Sequence, residues 1–290
     1  MKADILTQIV LPFSLFIIML GMGLSLKISD FTRVLQVPKA MIIGITCQMI
    51  LLPLIGLALV MAFSLPPELA VGFMILAFCP GGTTSNMFAY LARADVALSI
   101  SLTAIISLIT PFTIPLLTGL AMNLFMDNAD QFAIPIGKTI IQLLVITVVP
   151  VTIGMILFKK LPEFATRMEK PVKIFSIVLL FLIIAAIVAK SWSSMAGFFA
   201  QTGLATLALN LVSMTAGYMI ANKARLDKRQ AATIGVEVGI QNGTMALLVT
   251  GTILGNATMA IPAVTYSLLM FVTGGLFCWL VSLKEKPTLE

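Results

Sequence analysis

The chain contains no histidine. That absence excludes a Ser-His-Asp triad, a two-histidine zinc-protease helix and a haem held by histidine. Charge is scarce as well: Lys, Arg, Asp and Glu make up 10% of the 290 residues, against about 25% in soluble domains. Cysteine is limited to Cys47, Cys79 and Cys278. Each lies inside an apolar run without the paired spacing of a metal site or disulfide framework, so all three are expected to pack as small apolar side chains. What remains is apolar: 59% of the residues are hydrophobic and the mean hydropathy is +1.09, which excludes a soluble globular protein. The net charge of +6 is spread singly or in small groups between apolar runs. Nucleic acid is therefore not an expected partner, and a lipid bilayer is.

Apolar runs near 5–26, 40–63, 69–92, 96–125, 134–158, 172–189, 203–222, 230–254 and 257–283 are each long enough to cross a bilayer. They predict an all-α integral membrane protein with nine transmembrane helices, and 159–171 as a loop. The first run is too long for a signal-peptide core and lacks a small-residue cleavage site, so it is expected to remain in the mature protein. The connections alternate in charge. Lys27, Arg33 and Lys39, then Arg93, then Lys159, Lys160, Arg167, Lys170 and Lys173, then Lys223, Arg225, Lys228 and Arg229, then Lys284 and Lys286 fall on one side. Only Lys2, Lys138 and Lys190 fall on the other, together with Asp127 and Asp130. Positive loops stay cytoplasmic. The expected topology is thus an odd number of crossings of the cell's inner (plasma) membrane, N-terminus outside and C-terminus cytoplasmic. Trp192 near an outer end, and Tyr90, Tyr218 and Trp279 near inner ends, suit the membrane interface.

Two runs do not read as ordinary apolar helices. The third is interrupted by Cys79-Pro80-Gly81-Gly82-Thr83-Thr84-Ser85-Asn86, the eighth by Glu237-Val238-Gly239-Ile240-Gln241-Asn242-Gly243-Thr244. They stand five places apart in the order of runs, an odd number, so they enter the membrane from opposite sides. Paired Gly- or Pro-interrupted segments in inverted halves point to the binding site of a secondary transporter. Of the twelve acids, Glu237 alone lies deep in an apolar run. A carboxylate there costs at least ~2.5 kcal/mol unless it is paired, solvated or protonated. No Lys or Arg is expected at that depth. Neutral oxygen is plentiful nearby, in Gln241 and Asn242, Gln48 of the second run, and Ser99 and Thr103 of the fourth, and such oxygens suit a hard cation such as sodium. Glu237 with Gln241, and Ser99 with Thr103, are i,i+4 pairs sharing a helix face. Ser or Thr inside a membrane ordinarily bonds its own helix backbone, and a lone Gln such as Gln48 serves equally well as interhelical glue. A helix restarting at Thr83–Asn86 would turn its unpaired amides and positive end toward an anionic substrate, with Asn242 a further donor at the other break.

These strings, together with Gly21-Met22-Gly23-Leu24-Ser25-Leu26-Lys27, Asp30-Phe31 and Tyr90-Leu91-Ala92-Arg93, resemble the bile acid:sodium symporter family over nearly the whole chain. The resemblance implies an inverted-repeat fold with two crossed broken helices. It also implies a core domain, here approximately 40–125 plus 203–283, and a panel domain, approximately 5–26 plus 134–189. One sodium site would comprise Ser85, Asn86, Ser99, Thr103 and Glu237. A second would use Gln48, Glu237 and Gln241 with backbone oxygens of Val238 and Ile240. Substrate would lie between core and panel near Thr83, Thr84 and Asn242. The chain departs from the pattern at Met270-Phe271, where some members carry a His-Asn pair, which speaks against bile acid itself.

The function expected is sodium-coupled uptake of an organic anion, bile-acid-like or a small carboxylate such as pantoate or a keto acid, by alternating access. No cofactor is expected beyond sodium as coupling ion. Proton coupling through Glu237 is the alternative within the same class. An ion channel lacks a charged ring or carbonyl filter motif in this sequence. An intramembrane enzyme lacks histidine, paired buried acids and a serine beside a base.

Overall fold

A computed structural model gives the fold and describes residues 6–126, 135–190 and 192–282. Lys2, Asp127, Asp130, Lys284 and Lys286 lie outside the described residues, as do the side chains of Lys173, Lys190 and Trp192. Among the described residues the chain is entirely helical. The first run forms a π-helical turn, Leu6–Val10, leading into α1, Leu11–Gly23. It is followed by α2, Ile28–Gln36, at a 66° bend. The second run is α3, Pro38–Thr46, continuing through a π turn, Cys47–Leu51, into α4, Leu52–Ala62. The third is split into α5, Pro67–Phe78, and α6, Thr83–Leu91. Next come α7, Val96–Phe125, α8, Ile136–Lys160, α9, Pro162–Lys190, and α10, Trp192–Lys223. The eighth run is split into α11, Lys228–Gly239, and α12, Gly243–Leu247, the latter continuing as a π turn, Leu248–Ile253. The last helix is α13, Ile261–Ser282.

Six described helices are long and apolar enough to cross a membrane, or up to seven if the bent pair at the start is one span. At 12 and 9 residues, the halves α5 and α6 are each too short to span hydrocarbon alone at ~1.5 Å per residue. The expected loop over 159–171 is instead helix: only Leu161 separates α8 from α9. Pro162 supplies the preset φ of a first helical turn, while Lys159 and Lys160 sit at the negative end of α8. The connection after the first run is helical too. In α2, Ile28 and Leu35 are exposed while Phe31 and Val34 pack inward, and Asp30 closes the N-terminus by accepting the Lys27 N–H at 2.7 Å.

One turn is used twice. Ala92-Arg93-Ala94-Asp95 and Ala224-Arg225-Leu226-Asp227 each place an arginine in the left-handed region, at φ 54° and 59°. The next residue closes the preceding helix, Ala94 N–H to the Ala89 carbonyl at 2.9 Å and Leu226 N–H to the Ala221 carbonyl at 3.1 Å. The Asp carboxylate then caps the following helix, accepting from the N–H of Leu98 at 3.0 Å or Gln230 at 2.8 Å. The two turns dock on each other: Asp95 N–H donates to the Arg229 carbonyl at 3.3 Å, and the Thr233 hydroxyl to the Asp95 carbonyl at 3.0 Å. Arg33 of α2 reaches the Asp95 carboxylate at 3.3 Å. Three helices, α2, α7 and α11, are thereby fastened at one end.

Burial runs from the outside in. Helix α1 packs along α8 and α9; α10 packs along α11 and α13, and α5 along α7. A Cβ on Gly23 of α1 would strike the Val151 backbone of α8, so that close approach requires glycine. The eighth run, Lys228–Ile253, has its whole 18-residue apolar window buried, against 28% for Pro38–Ala62 and for Ile136–Lys160. The surrounding helices turn Ile42, Leu120, Ile141, Leu204 and Val272 outward, where lipid accepts them as readily as a protein core would. The helix carrying the one deep acid is therefore sheathed from hydrocarbon on all sides.

Replacing Asp95 by Ala removes an N-cap and a partly exposed ion pair. Together these are worth about 1–2 kcal/mol, so the apparent melting temperature in detergent is expected to fall by a few degrees. Asp227→Ala, which loses only the cap, is expected to fall less.

Candidate functional site at the two helix breaks

A helix end leaves its last carbonyls and first amides without intrahelical partners, and in a membrane each must find one inside the protein. Here the two interruptions partner each other. The Asn242 N–H donates to the Pro80 carbonyl at 2.9 Å. Gln48, from the π turn between α3 and α4, donates through Nε2 to the Cys79 carbonyl at 2.9 Å and to Gln241 Oε1 at 2.8 Å. Gln241 Nε2 in turn donates to the Val238 carbonyl at 2.8 Å. On the other side Asn242 Oδ1 caps α12 by accepting the Met245 N–H at 3.0 Å, and the Ser85 hydroxyl donates to the Gly82 carbonyl at 2.7 Å.

Glu237 sits where these strands of contact converge, fully buried. Ser99 Oγ lies 2.9 Å from Glu237 Oε2 and 2.8 Å from Asn86 Oδ1. Thr103 Oγ1 donates to Glu237 Oε1 and is 3.4 Å from Ser85 Oγ. Both α7 hydroxyls thus reach across to α11, whereas their neighbour Ser101 bonds its own helix at the Ala97 carbonyl, 2.8 Å away. The i,i+4 spacing decides this, because Ser99 and Thr103 share the face that α7 turns to the breaks. The ion pair among the described residues is Arg33–Asp95 at the fastened end, so Glu237 faces hydroxyl and amide groups and no base. The approach depends on Gly81: a Cβ there would collide with Glu237 Oε1 and lie 3.0 Å from its Cδ.

The structure accordingly brings Ser85, Asn86, Ser99, Thr103 and Glu237 into one cluster. Gln48, Gln241 and the Val238 carbonyl are joined beside it, and the buried Ile240 forms the extended link at φ −114° and ψ 103°. Thr83, Thr84 and Asn86 line a cavity of about 270 Å³. Asn242 does not line it; the residue is buried, and its Nδ2 has no partner among the described residues. The other wall comes from α1 and the segment after it, through Met22, Ser25 and Leu26. Sequence reasoning assigned these no part in the site. The available signal was Gly21 and Gly23, small residues that let α1 approach its neighbours closely.

The model of the sodium bile acid symporter family matches residues 12–198, more than half of the chain. The chain belongs to this family. An uncharacterized sodium-dependent transporter of Bacillus subtilis (strain 168), YocS, is 28% identical over 277 residues, covering 93% of this chain and 83% of its own length. The human ileal sodium/bile acid cotransporter is 30% identical over 243 residues, covering 82% of this chain and 68% of that protein. A probable sodium/metabolite cotransporter of Arabidopsis thaliana, BASS1, is 29% identical over 270 residues; the match covers 91% of this chain and 65% of the plant protein. As a member of the sodium bile acid symporter family the chain is a multi-pass membrane transport protein and not an enzyme.

In this symporter chain Gly81→Ala is expected to destabilise the fold by about 1–3 kcal/mol, because the carboxylate that must yield is held by Ser99 and Thr103. Thermal unfolding checks it against Gly119→Ala, where an added Cβ meets nothing within 4 Å. That control is expected to be neutral or slightly stabilising.

Proposed function

We propose that the protein is a sodium-coupled symporter that carries an organic anion into the cell. One observation bears the reading: a carboxylate buried at the helix breaks without a base and ringed by neutral oxygen. A buried charge left uncompensated is strongly destabilising, and a hard monocation held by Glu237, Ser85, Asn86, Ser99 and Thr103 neutralises it. A second ion would take Gln48, Glu237 and Gln241 with the Val238 and Ile240 carbonyls, after the amide groups of Gln48 and Gln241 have turned their oxygens inward. The bond between Asn242 and Pro80 supports two broken helices that cross. In this reading the chain crosses the inner (plasma) membrane nine times as an inverted repeat, N-terminus outside and C-terminus cytoplasmic. The residues near 40–125 and 203–283 form the core, and those near 5–26 and 134–189 the panel. The packing of α1 on α8 and α9 is in keeping with such a panel.

The substrate would occupy the cavity between α1 and α6, its carboxylate toward Thr83 and Thr84 at the positive end of α6, with Asn242 joining when the core moves. A cavity of about 270 Å³ lies just under the ~300–1,000 Å³ range of drug-sized pockets. It favours a small carboxylate of the pantoate or keto-acid kind over a steroid conjugate. Sodium binding lowers the cost of burying Glu237 and draws the two breaks together; substrate then binds beside the filled sites, and rocking of core against panel exposes both to the other side. Two sodium ions with one monovalent anion move one net positive charge, so the membrane potential contributes ~2.3 kcal/mol per 100 mV.

Proteoliposomes test this directly. Labelled pantoate is expected to accumulate under an inward sodium gradient, faster with the interior negative, and not under a pH gradient without sodium. Glu237→Gln is expected to abolish accumulation. Uptake indifferent to sodium, or unchanged in Glu237→Gln, would overturn the assignment.

A further inference from the structure

We infer that Asn210 and Tyr266, two residues outside the broken helices, set the sodium affinity of the site by holding one carbonyl of the α11 break; the inference rests on the sodium-coupled reading above. Helix α11 ends at Gly239. The Gly239 carbonyl accepts two hydrogen bonds, from Asn210 Nδ2 of α10 at 2.6 Å and from the Tyr266 hydroxyl of α13 at 2.8 Å. A carbonyl oxygen has two lone pairs, so both are occupied. Gly239 is thereby withdrawn from the ion, and the chain on either side is oriented. Ile240 is extended, and in extended backbone successive carbonyls point to opposite sides. Drawing the Gly239 oxygen toward α10 and α13 turns that of Ile240 the other way. On the preceding side the Val238 carbonyl accepts from Gln241 Nε2, a partner that a change of side-chain rotamer removes.

Tyr266 packs in the core and donates from its ring hydroxyl, whereas Asn210 is placed for this bond. Asn210 and Tyr266 are fully buried, and Asn210 Oδ1 has no partner among the described residues. Burying an amide with one end unpaired is unfavourable, and an apolar side chain of the same size would avoid it. What the amide supplies is its N–H. Asn210 and Tyr266 are positioning residues: they touch a carbonyl whose neighbours face the ion, and they do not touch the ion. Without them the Gly239 carbonyl must seek another donor, and the polar groups at the break include Gln48 and Gln241, whose amides the sodium reading uses.

The test is sodium titration of the purified full-length protein, read as the rise in melting temperature when sodium replaces potassium at constant ionic strength. Tyr266→Phe keeps the ring and removes one donor; Asn210→Leu keeps the volume and removes the other. Each is expected to raise the sodium concentration for half-maximal effect about three- to tenfold, the scale of one lost hydrogen bond. The melting temperature in potassium alone reports any loss of fold separately. If Asn210→Leu does not fold, Tyr266→Phe carries the test by itself. A lower melting temperature in potassium with an unchanged half-maximal concentration, while Glu237→Gln loses the sodium response, would make the pair merely structural and overturn the inference alone. A sodium response that persists in Glu237→Gln would instead remove the sodium reading, and the inference with it.

Discussion

The architecture is organised around one carboxylate that has no base. Glu237 is fully buried, in a membrane protein, on the one helix whose apolar window is wholly enclosed by the others. Its neighbours are hydroxyls and amides. In the sodium-coupled reading proposed above, a small cation joins that set and neutralises the charge. A lysine or arginine in the same place would pair permanently and stop the exchange.

Breaking helices inside a membrane is costly, and the structure shows how the cost is contained. Freed carbonyls are met by the other break, by a neighbouring helix or by the restarting helix itself: Pro80 by Asn242, Cys79 by Gln48, Gly239 by Asn210 and Tyr266, Gly82 by Ser85. The helices that carry the site are also tied to one another. At one end the paired Ala-Arg-x-Asp turns lock α7 to α11, and Arg33 ties α2 to both. Because α2 directly follows α1, the same ion pair connects the wall of the cavity to the helices that carry Ser99 and Glu237.

Much of this is legible in the chain. The lone deep acid and the two Gly-rich interruptions stand out because each violates what an apolar span requires, and a violation that survives in a membrane marks function. The i,i+4 spacing of Ser99 and Thr103 gave the shared face, though not its direction; only packing separates them from Ser101, which bonds its own helix. The second Gln of the cluster, Gln48, lies 193 positions from Gln241, and no local pattern could join them. Asn210 and Tyr266 read as ordinary polar residues in apolar helices. Nothing along the chain distinguishes them from Thr265, which bonds back to Ile261.

Composition and periodicity by themselves established an all-helical membrane protein, the exclusion of histidine chemistry, the location of the interruptions and the identity of the acid. These follow from short-range rules, in which hydrocarbon sorts residues one helical turn at a time. The tertiary structure alone decided that the two breaks touch through Asn242 and Pro80, that α1 walls the cavity, that 159–171 is helix, and that Gly81 must be bare to admit Glu237. Those are contacts between segments far apart in sequence. Whether two surfaces meet there depends on how whole helices pack, which no window of the chain encodes.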